Sequence, residues 1–156
     1  MEACQGIAQG DSCLAARGSS LLSNLVLDAS ISLTWLLDDE TAPEPDAARQ
    51  RLATYSAFVP RIWHLEMRNA LLVAERRGRL SRRMSEERLD ALSELPIRTD
   101  QAPNFRAAMD LARKHDITFY DALYLESALR ITAVLATLDK ALARAATNEG
   151  LDVLAG

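Results

Sequence analysis

The sequence predicts an α/β protein in which a parallel sheet is covered by helices on both faces. With 156 residues, 49% of them hydrophobic and 26% charged, the chain has the size and composition of one globular domain. From residue 25 onward, strand-like segments alternate with helix-like segments. Most of the strand-like segments are short and apolar, which is typical of parallel strands buried on both faces.

The elements follow one another after an N-terminal stretch that has no periodicity. Residues 1–23 are predicted to form a poorly ordered extension, and residues 24–156 the folded domain. Pro43 opens the second helix, and Gly78 and Gly150 stand where the third and seventh helices end. Strands are predicted over residues 25–27, 57–59, 97–99, 134–136 and 152–154. Helices are predicted over residues 30–37, 43–55, 62–77, 81–95, 103–115, 118–130 and 140–149.

The bulk composition argues against several classes of protein. No uncharged run approaches the ~18 residues of a membrane span, and the start lacks a secretion signal, so we expect a cytoplasmic protein without a membrane segment. Cys4 and Cys13 form neither a disulfide framework nor a zinc site. The net charge of -4 argues mildly against a bulk nucleic-acid coat. Only Lys114 and Lys140 are lysines, however, and the other basic residues are arginines, which suit forked contacts with phosphate.

Two aspartates directly follow predicted buried strands. Asp28 ends the run Leu25-Val26-Leu27, and Asp139 follows the run from residue 134 to residue 138. Each has an ordinary alternative role, because aspartate is a preferred N-cap of the helix that comes next. In a parallel sheet, however, the carboxyl ends of the strands share one edge, and ligands bind at that edge. We therefore expect Asp28 and Asp139 to lie on the same side of the sheet.

Two further acids lie on predicted helices near the same edge. Glu66 shares a stripe with Asn69 on a helix that is expected to be largely buried, and its alternative role is a salt bridge with an arginine. Asp121 stands three residues after Thr118, as in a capping box. We expect Asp121 to point away from the solvent side of its helix. That side is marked by an i,i+4 pair, Glu126 and Arg130.

Four carboxylates in one cleft require a partner of opposite charge. Two unit charges ~4 Å apart repel by about 4 kcal/mol at an effective dielectric near 20. Protonation or a divalent cation relieves that repulsion. Oxygen ligands without His or Cys favour Mg²⁺ or Mn²⁺, and such ions suit phosphate chemistry. The sequence therefore predicts a metal site at the edge of the sheet.

The acids stand in four short motifs whose order and spacing together are specific. The motifs are Asp28-Ala29-Ser30, Glu66-x-x-Asn69-Ala70, Tyr120-Asp121-Ala122-Leu123-Tyr124 and Thr137-Leu138-Asp139. On these motifs, from about residue 25 to residue 154, the chain resembles the PIN-domain ribonucleases. It looks most like the VapC-type toxins of bacterial toxin–antitoxin pairs. It departs from them in the N-terminal extension and in Arg68, which has no assigned role.

The resemblance implies a three-layer α/β/α sandwich on a five-stranded parallel sheet. It also implies an endoribonuclease that uses Mg²⁺ or Mn²⁺ to hydrolyse RNA phosphodiester bonds and leaves a 5′-phosphate. By position, the catalytic and metal-binding residues would be four acids: Asp28, Glu66, Asp121 and Asp139. Supporting roles would fall to Thr137, beside Asp139 or a coordinated water, and to Asn69 and Ser30.

The resemblance implies partners as well. These are an RNA substrate such as tRNA or rRNA, a VapB-like antitoxin whose C-terminal segment blocks the cleft, and a second copy in a homodimer. A basic run lies around the predicted turn at Gly78, and it is either a solvated surface patch or a contact for RNA or for an acidic antitoxin segment. Its members are Arg76, Arg77, Arg79, Arg82 and Arg83.

Other functions compete with this interpretation. A phosphatase or dehalogenase with Asp28 as nucleophile would usually have a second acid where Ser30 stands. A receiver-like binding module, in which the acids are caps, would show no metal dependence and little loss on Glu66→Gln. A PIN nuclease of RNA maturation would differ from a toxin in genome context. No motif for a Ser or Cys nucleophile is present, and His64 is expected to be a packed or capping histidine.

Overall fold

The computed structural model describes residues 23–37 and 43–155, so the extension predicted over residues 1–23 lies outside it except for Ser23. Over these ranges, five parallel strands form one sheet in the order β3-β2-β1-β4-β5. The strands are β1 (Asn24–Leu27), β2 (Ser56–Val59), β3 (Ile97–Thr99), β4 (Ala133–Thr137) and β5 (Val153–Ala155). The helices are α1 (Ala29–Leu37), α2 (Pro43–Arg51), α3 (Arg61–Arg76), α4 (Arg82–Ser93), α5 (Phe105–His115), α6 (Phe119–Arg130) and α7 (Lys140–Asn148).

The predicted fold class is confirmed. Helices α1 to α4 contact one another along the chain, and α5, α6 and α7 form a second contact group, consistent with a three-layer α/β/α sandwich. Each strand begins and ends within one residue of its predicted position. The central strand is buried because both faces of the sheet are covered there. Leu25, Val26 and Leu27 of β1 are fully buried, which stabilises the fold by roughly 1.5–3 kcal/mol for each such side chain.

Helix boundaries follow from polar caps. Ser81 and Asn104 accept hydrogen bonds from the first turns of α4 and α5, and these bonds satisfy N–H groups that the helix itself cannot. Gly78 and Gly150, with φ of +69° and +80°, turn the chain after α3 and α7 as expected. The prediction for α2 was wrong at its end, which lies at Arg51 rather than near residue 55.

The expectation that α3 is largely buried was also wrong. Its buried residues lie on one face, namely Trp63, Met67, Leu71 and Ala74. Leu65 and Leu72, on the other side, are 63% and 44% exposed. Apolar residues on two sides of a helix indicate burial only if both sides find a partner, and within the described chain one side of α3 is left uncovered.

The pair Glu126–Arg130 forms, but it does not mark the solvent side of α6. Arg130 Nε donates to Glu126 at 2.8 Å, and Glu126 is only 3% exposed. The guanidinium also donates to Asp100, a buried residue just after β3, and Ser127 donates to the same carboxylate oxygen. These hydrogen bonds join α6 to the residue that follows β3. A helical wheel does not show them, because it includes the residues of one helix only.

The topology puts a crevice between β1 and β4. β1 pairs with β2 on one side and with β4 on the other, so strand order reverses there. Ligands of open parallel sheets bind outside the carboxyl ends of the strands at such a switch point. Asp28 follows the last residue of β1. Because Leu27 of β1 lies opposite Ala136 of β4, Asp28 has Thr137 as its neighbour across the crevice. Among the described helices, none is long and apolar enough to cross a membrane.

Candidate active site

Asp28 lies buried at the carboxyl end of β1. Its backbone N–H donates to Ala136 O of β4 at 2.9 Å, and the residue is only 5% exposed. Two hydroxyls donate to one carboxylate oxygen, Oδ2: Ser30 at 2.5 Å and Thr137 at 2.7 Å. A carboxylate removed from water costs several kcal/mol unless donors compensate it. Ser30 and Thr137 supply that compensation and hold Asp28 in one orientation.

The same two hydroxyls reach the turn that leads to Asp139. Ser30 Oγ accepts from Leu138 N, and Thr137 Oγ1 accepts from Asp139 N, both at 2.9 Å. Asp139 itself is exposed, and its Oδ1 caps α7 by accepting from Leu142 N at 2.8 Å. The N-cap alternative for Asp139 is therefore realised, while hydrogen bonds through Thr137 connect its backbone to Asp28. A catalytic role for Asp139 stays a prediction.

Glu66 reaches the crevice from the second turn of α3. It is half-buried, and the fully buried hydroxyl of Tyr124 on α6 donates to its Oε2. The sequence suggested an arginine or a metal as the partner of Glu66. The structure shows that a tyrosine is one of its partners. Burial raises the pKa of the Glu66 carboxyl, and the charges of Asp28 and Asp121 raise it further, against the lowering effect of the Tyr124 hydrogen bond.

Asp121 faces the same crevice from the first turn of α6. The predicted capping box is present in part: Thr118 Oγ1 accepts from Asp121 N at 3.1 Å, and its hydroxyl donates to Asp121 Oδ2 at 2.6 Å. The charge of Asp121 raises the pKa of Asp28 and of Glu66. Asp121 is therefore close enough to interact with both carboxylates, and it acts as a helix cap at the same time.

Electrostatic repulsion is the shared property of these three acids. Burial raises the pKa of Asp28, and Asp121 adds to this effect, although the hydrogen bonds from Ser30 and Thr137 lower the pKa. In the described chain, no three His, Cys, Asp or Glu side chains lie close enough together to form a ready metal cage. The site is a group of acids at the switch point of the sheet, in which the charge of Asp121 raises the pKa of both Asp28 and Glu66.

The other predicted site residues lie on the exposed surface of α3, of α4 and of the turn between them. Asn69, assigned a supporting role, is exposed on α3. In the basic run, Arg82 pairs with Glu86 and Arg83 with Glu87 along exposed α4, as expected of a solvated helix face. The other arginines of the run are exposed at and after the end of α3. These are Arg76, Arg77 and Arg79.

Sequence reasoning missed Tyr124 as a partner of Glu66, although Tyr124 closes the motif that contains Asp121. The signal was its spacing, because Tyr124 lies one helical turn after Asp121 and therefore on the same side of α6. His64 takes the expected role of a packed histidine. It is half-buried, and its Nε2 forms a hydrogen bond of 2.7 Å with Thr99 Oγ1.

Comparison with known proteins identifies the class. The profile of the PIN domain family matches residues 25–148, and the chain belongs to that family. PIN domains are generally nucleases, and those nucleases usually use divalent metal ions.

Solved structures share the fold at low sequence identity. The crystal structure of PAE2754 from Pyrobaculum aerophilum has a TM-score of 0.65 and 21% identity, with 94% of this chain and 93% of that chain covered. FitAcB from Neisseria gonorrhoeae has a TM-score of 0.58 and 16% identity, with 83% and 95% covered. No curated protein sequence matches the chain. These similarities concern the fold alone.

Proposed function

We propose that the chain is a metal-dependent endoribonuclease that acts in the cytoplasm as the toxin of a toxin–antitoxin pair. The observation that carries the proposal is the crevice at the switch point of the sheet, where Asp28, Glu66 and Asp121 repel one another. Such an arrangement costs folding free energy, and a cation offsets that cost. The family resemblance of the four acid-bearing motifs supports the toxin role.

The donor set fits Mg²⁺ or Mn²⁺. All three acids offer oxygen, which hard divalent cations prefer. Mg²⁺ in particular keeps several waters and is usually held by one or two carboxylates and a substrate phosphate, not by a closed protein cage. An open crevice without a ready three-residue cage is consistent with that mode of binding. Asp28, Glu66 and Asp121 would hold the ion, with Asp139 beside them across Thr137.

Each side chain then has a defined part in RNA hydrolysis. Ser30 and Thr137 keep the Asp28 carboxylate oriented through Oδ2. Asp28 and Glu66 would accept and release protons more readily near neutral pH than ordinary carboxyls, because burial and repulsion raise the pKa of both. When bound, the divalent ion supplies charge neutralisation at the phosphate and activation of water for in-line attack on phosphorus. Because the acids repel the anionic phosphodiester, they would act on it only through the cation that they hold.

A VapB-like antitoxin would control the enzyme by covering this crevice. Three exposed arginines lie at and after the end of α3, namely Arg76, Arg77 and Arg79. They suit contact with either the RNA backbone or an acidic antitoxin segment. Arg82 and Arg83 follow at the start of α4, where each pairs with a glutamate.

Cleavage of an RNA panel tests the proposed function. Purified wild type is incubated with tRNA, rRNA fragments and single-stranded oligonucleotides in Mg²⁺, Mn²⁺ or EDTA, beside Asp121→Asn from an identical preparation. We expect cutting with either metal, and loss of cutting with EDTA and in the variant. Equal cutting in EDTA, or by Asp121→Asn, would overturn the proposal because it would reveal a contaminating or metal-independent nuclease.

An exposed apolar face supports the homodimer that the resemblance implies. The exposed apolar side chains lie on α3, α5 and α6. On α5 and α6 a run of rings continues through Phe119, which lies 6.2 Å from Phe105 and 6.5 Å from Tyr120 between ring centroids. Exposed apolar clusters often mark sites of protein–protein contact. Charges of both signs border the apolar face on α5, as a self-complementary interface requires. The exposed side chains are Leu65 and Leu72 on α3, Phe105 and Met109 on α5, and Tyr120 on α6.

A charge placed on this face should separate the subunits. We expect the wild type to sediment with twice the chain mass of 17.2 kDa, and Met109→Glu to sediment as a monomer, because a buried unpaired carboxylate is costly. Met84→Glu is the matched control, since Met84 is also an exposed methionine but lies on α4. Analytical ultracentrifugation measures the masses. A monomeric wild type, or a dimer in Met109→Glu, would contradict this assignment.

A further inference from the structure

The only hydroxyl that the described structure shows donating to Glu66 comes from another helix. Tyr124 lies in the middle of α6, is fully buried, and is among the largest fully buried side chains of the described chain. Its hydroxyl donates to Glu66 Oε2, across a sequence separation of 58 residues. A buried phenol could be accommodated by packing alone, but here its polar atom is directed at a carboxylate of the crevice. This bond ties α6, which also carries Asp121, to α3.

The two carboxylates with raised pKa are held in the same manner. Asp28 uses Oδ2 for the hydroxyls of Ser30 and Thr137, and Glu66 uses Oε2 for the hydroxyl of Tyr124. In each case a neighbouring element occupies one oxygen of the carboxylate. A carboxylate fixed through one oxygen cannot rotate freely away from its like-charged neighbours, so its other oxygen keeps a defined direction.

We propose that Tyr124 is a positioning residue that orients Glu66 as a ligand for the divalent cation. This inference rests on the proposed metal site, and it gives a role to the tyrosine that closes the motif containing Asp121. Tyr124 acts through Glu66 and has no direct contact with substrate. Hydrogen-bonded partners of metal ligands typically contribute 10–100-fold to metal affinity or activity, because they fix the ligand before the ion arrives.

Tyr124→Phe isolates the hydroxyl, since phenylalanine retains the ring and its packing. Calorimetric titration with Mn²⁺ should show binding about 10–100-fold weaker than in the wild type. Raising the Mn²⁺ concentration should restore RNA cleavage to a level near that of the wild type. Tyr55→Phe is the matched control, because it removes a tyrosine hydroxyl from a half-buried position at the start of β2. It should bind Mn²⁺ like the wild type.

A double-mutant cycle separates positioning from general stability. If Tyr124 acts through Glu66, adding Tyr124→Phe to Glu66→Gln should weaken Mn²⁺ binding by less than about twofold, since the two changes remove one shared interaction. Unchanged binding in Tyr124→Phe, or fully additive losses in the double variant, would overturn the role of Tyr124 alone. Absence of Mn²⁺ binding by the wild type would overturn the metal site together with it.

Discussion

Asp28→Asn should abolish RNA cleavage and at the same time stabilise the metal-free protein. The amide keeps the size of the side chain and an oxygen that accepts from Ser30 and Thr137, but it removes one charge from the crevice. We expect cleavage to fall by at least about 10³-fold, because charge stabilisation by a metal contributes several kcal/mol and each 1.36 kcal/mol is tenfold in rate. Cleavage assays at saturating Mn²⁺ measure the loss.

The stabilising half of this prediction follows from the repulsion among the acids. Asp28 is buried and its pKa is raised, so its charged form opposes folding at neutral pH. Replacing it with a neutral side chain should raise the Tm in EDTA, by roughly 2–4 °C for each kcal/mol gained in a chain of this size. Asp152→Asn, at an exposed aspartate before β5, is the control and should change neither property. An active Asp28→Asn, or one with a lower Tm, would contradict the prediction.

Metal-free protein should lose stability as the pH rises through the window in which the crevice acids ionise. The pKa of Asp28 and of Glu66 is higher in the folded chain than the ordinary values of 3.8 and 4.5. Between those ordinary values and the raised ones, the folded state binds more protons than the unfolded state, so the free energy of unfolding falls with rising pH. Below the ordinary values both states are protonated, and the stabilising contribution is fully present.

Divalent metal should reverse this loss at neutral pH. At a Mn²⁺ concentration of 100 times its Kd, binding to the folded state alone adds about 2.7 kcal/mol, and this gain should shrink toward pH 5 because protons compete for the same oxygens. Glu149, whose pKa is lowered by Lys114 and His115, contributes the opposite pH slope.

Thermal melts of the wild type and of Glu66→Gln, from pH 4 to pH 8 in EDTA and in Mn²⁺, test this expectation. Both proteins contain Glu149, so its contribution cancels in the comparison. We expect the EDTA curve of the wild type to fall more steeply with rising pH than that of the variant. If the Tm difference between the wild type and Glu66→Gln does not change with pH, and neither Tm responds to Mn²⁺, the crevice acids do not repel one another as proposed.

The sequence was sufficient where local chemistry decides structure. Short strand-like segments between helices were predicted within one residue, because most of them are aliphatic runs of the kind that a buried parallel sheet favours. Thr118 and Asp139 were recognisable as caps from type and position, and both accept the expected backbone hydrogen bonds. The placement of Asp28 and Asp139 at the same edge was predictable, because a parallel sheet brings the carboxyl ends of its strands together.

The sequence was insufficient where distant residues meet. The hydroxyl of Tyr124 finds Glu66 across 58 positions, and the guanidinium of Arg130 finds Asp100 across 30. Periodicity reports which face of a helix is apolar, but not which element covers that face, so the exposure of Leu65 was not foreseen. Asn69, on the same stripe as Glu66, is exposed, and its supporting role stays a prediction.

Anomalous diffraction from a crystal grown with Mn²⁺ would test the central claim most directly, because it locates the ion without reference to activity. The account predicts a Mn²⁺ peak in the crevice between β1 and β4, within ligand distance of a carboxylate oxygen of Asp28 and of Glu66 or Asp121. It also predicts that the peak disappears in Asp28→Asn crystals. An ordered crevice without a peak at saturating Mn²⁺, or a peak that persists in the variant, would contradict the account.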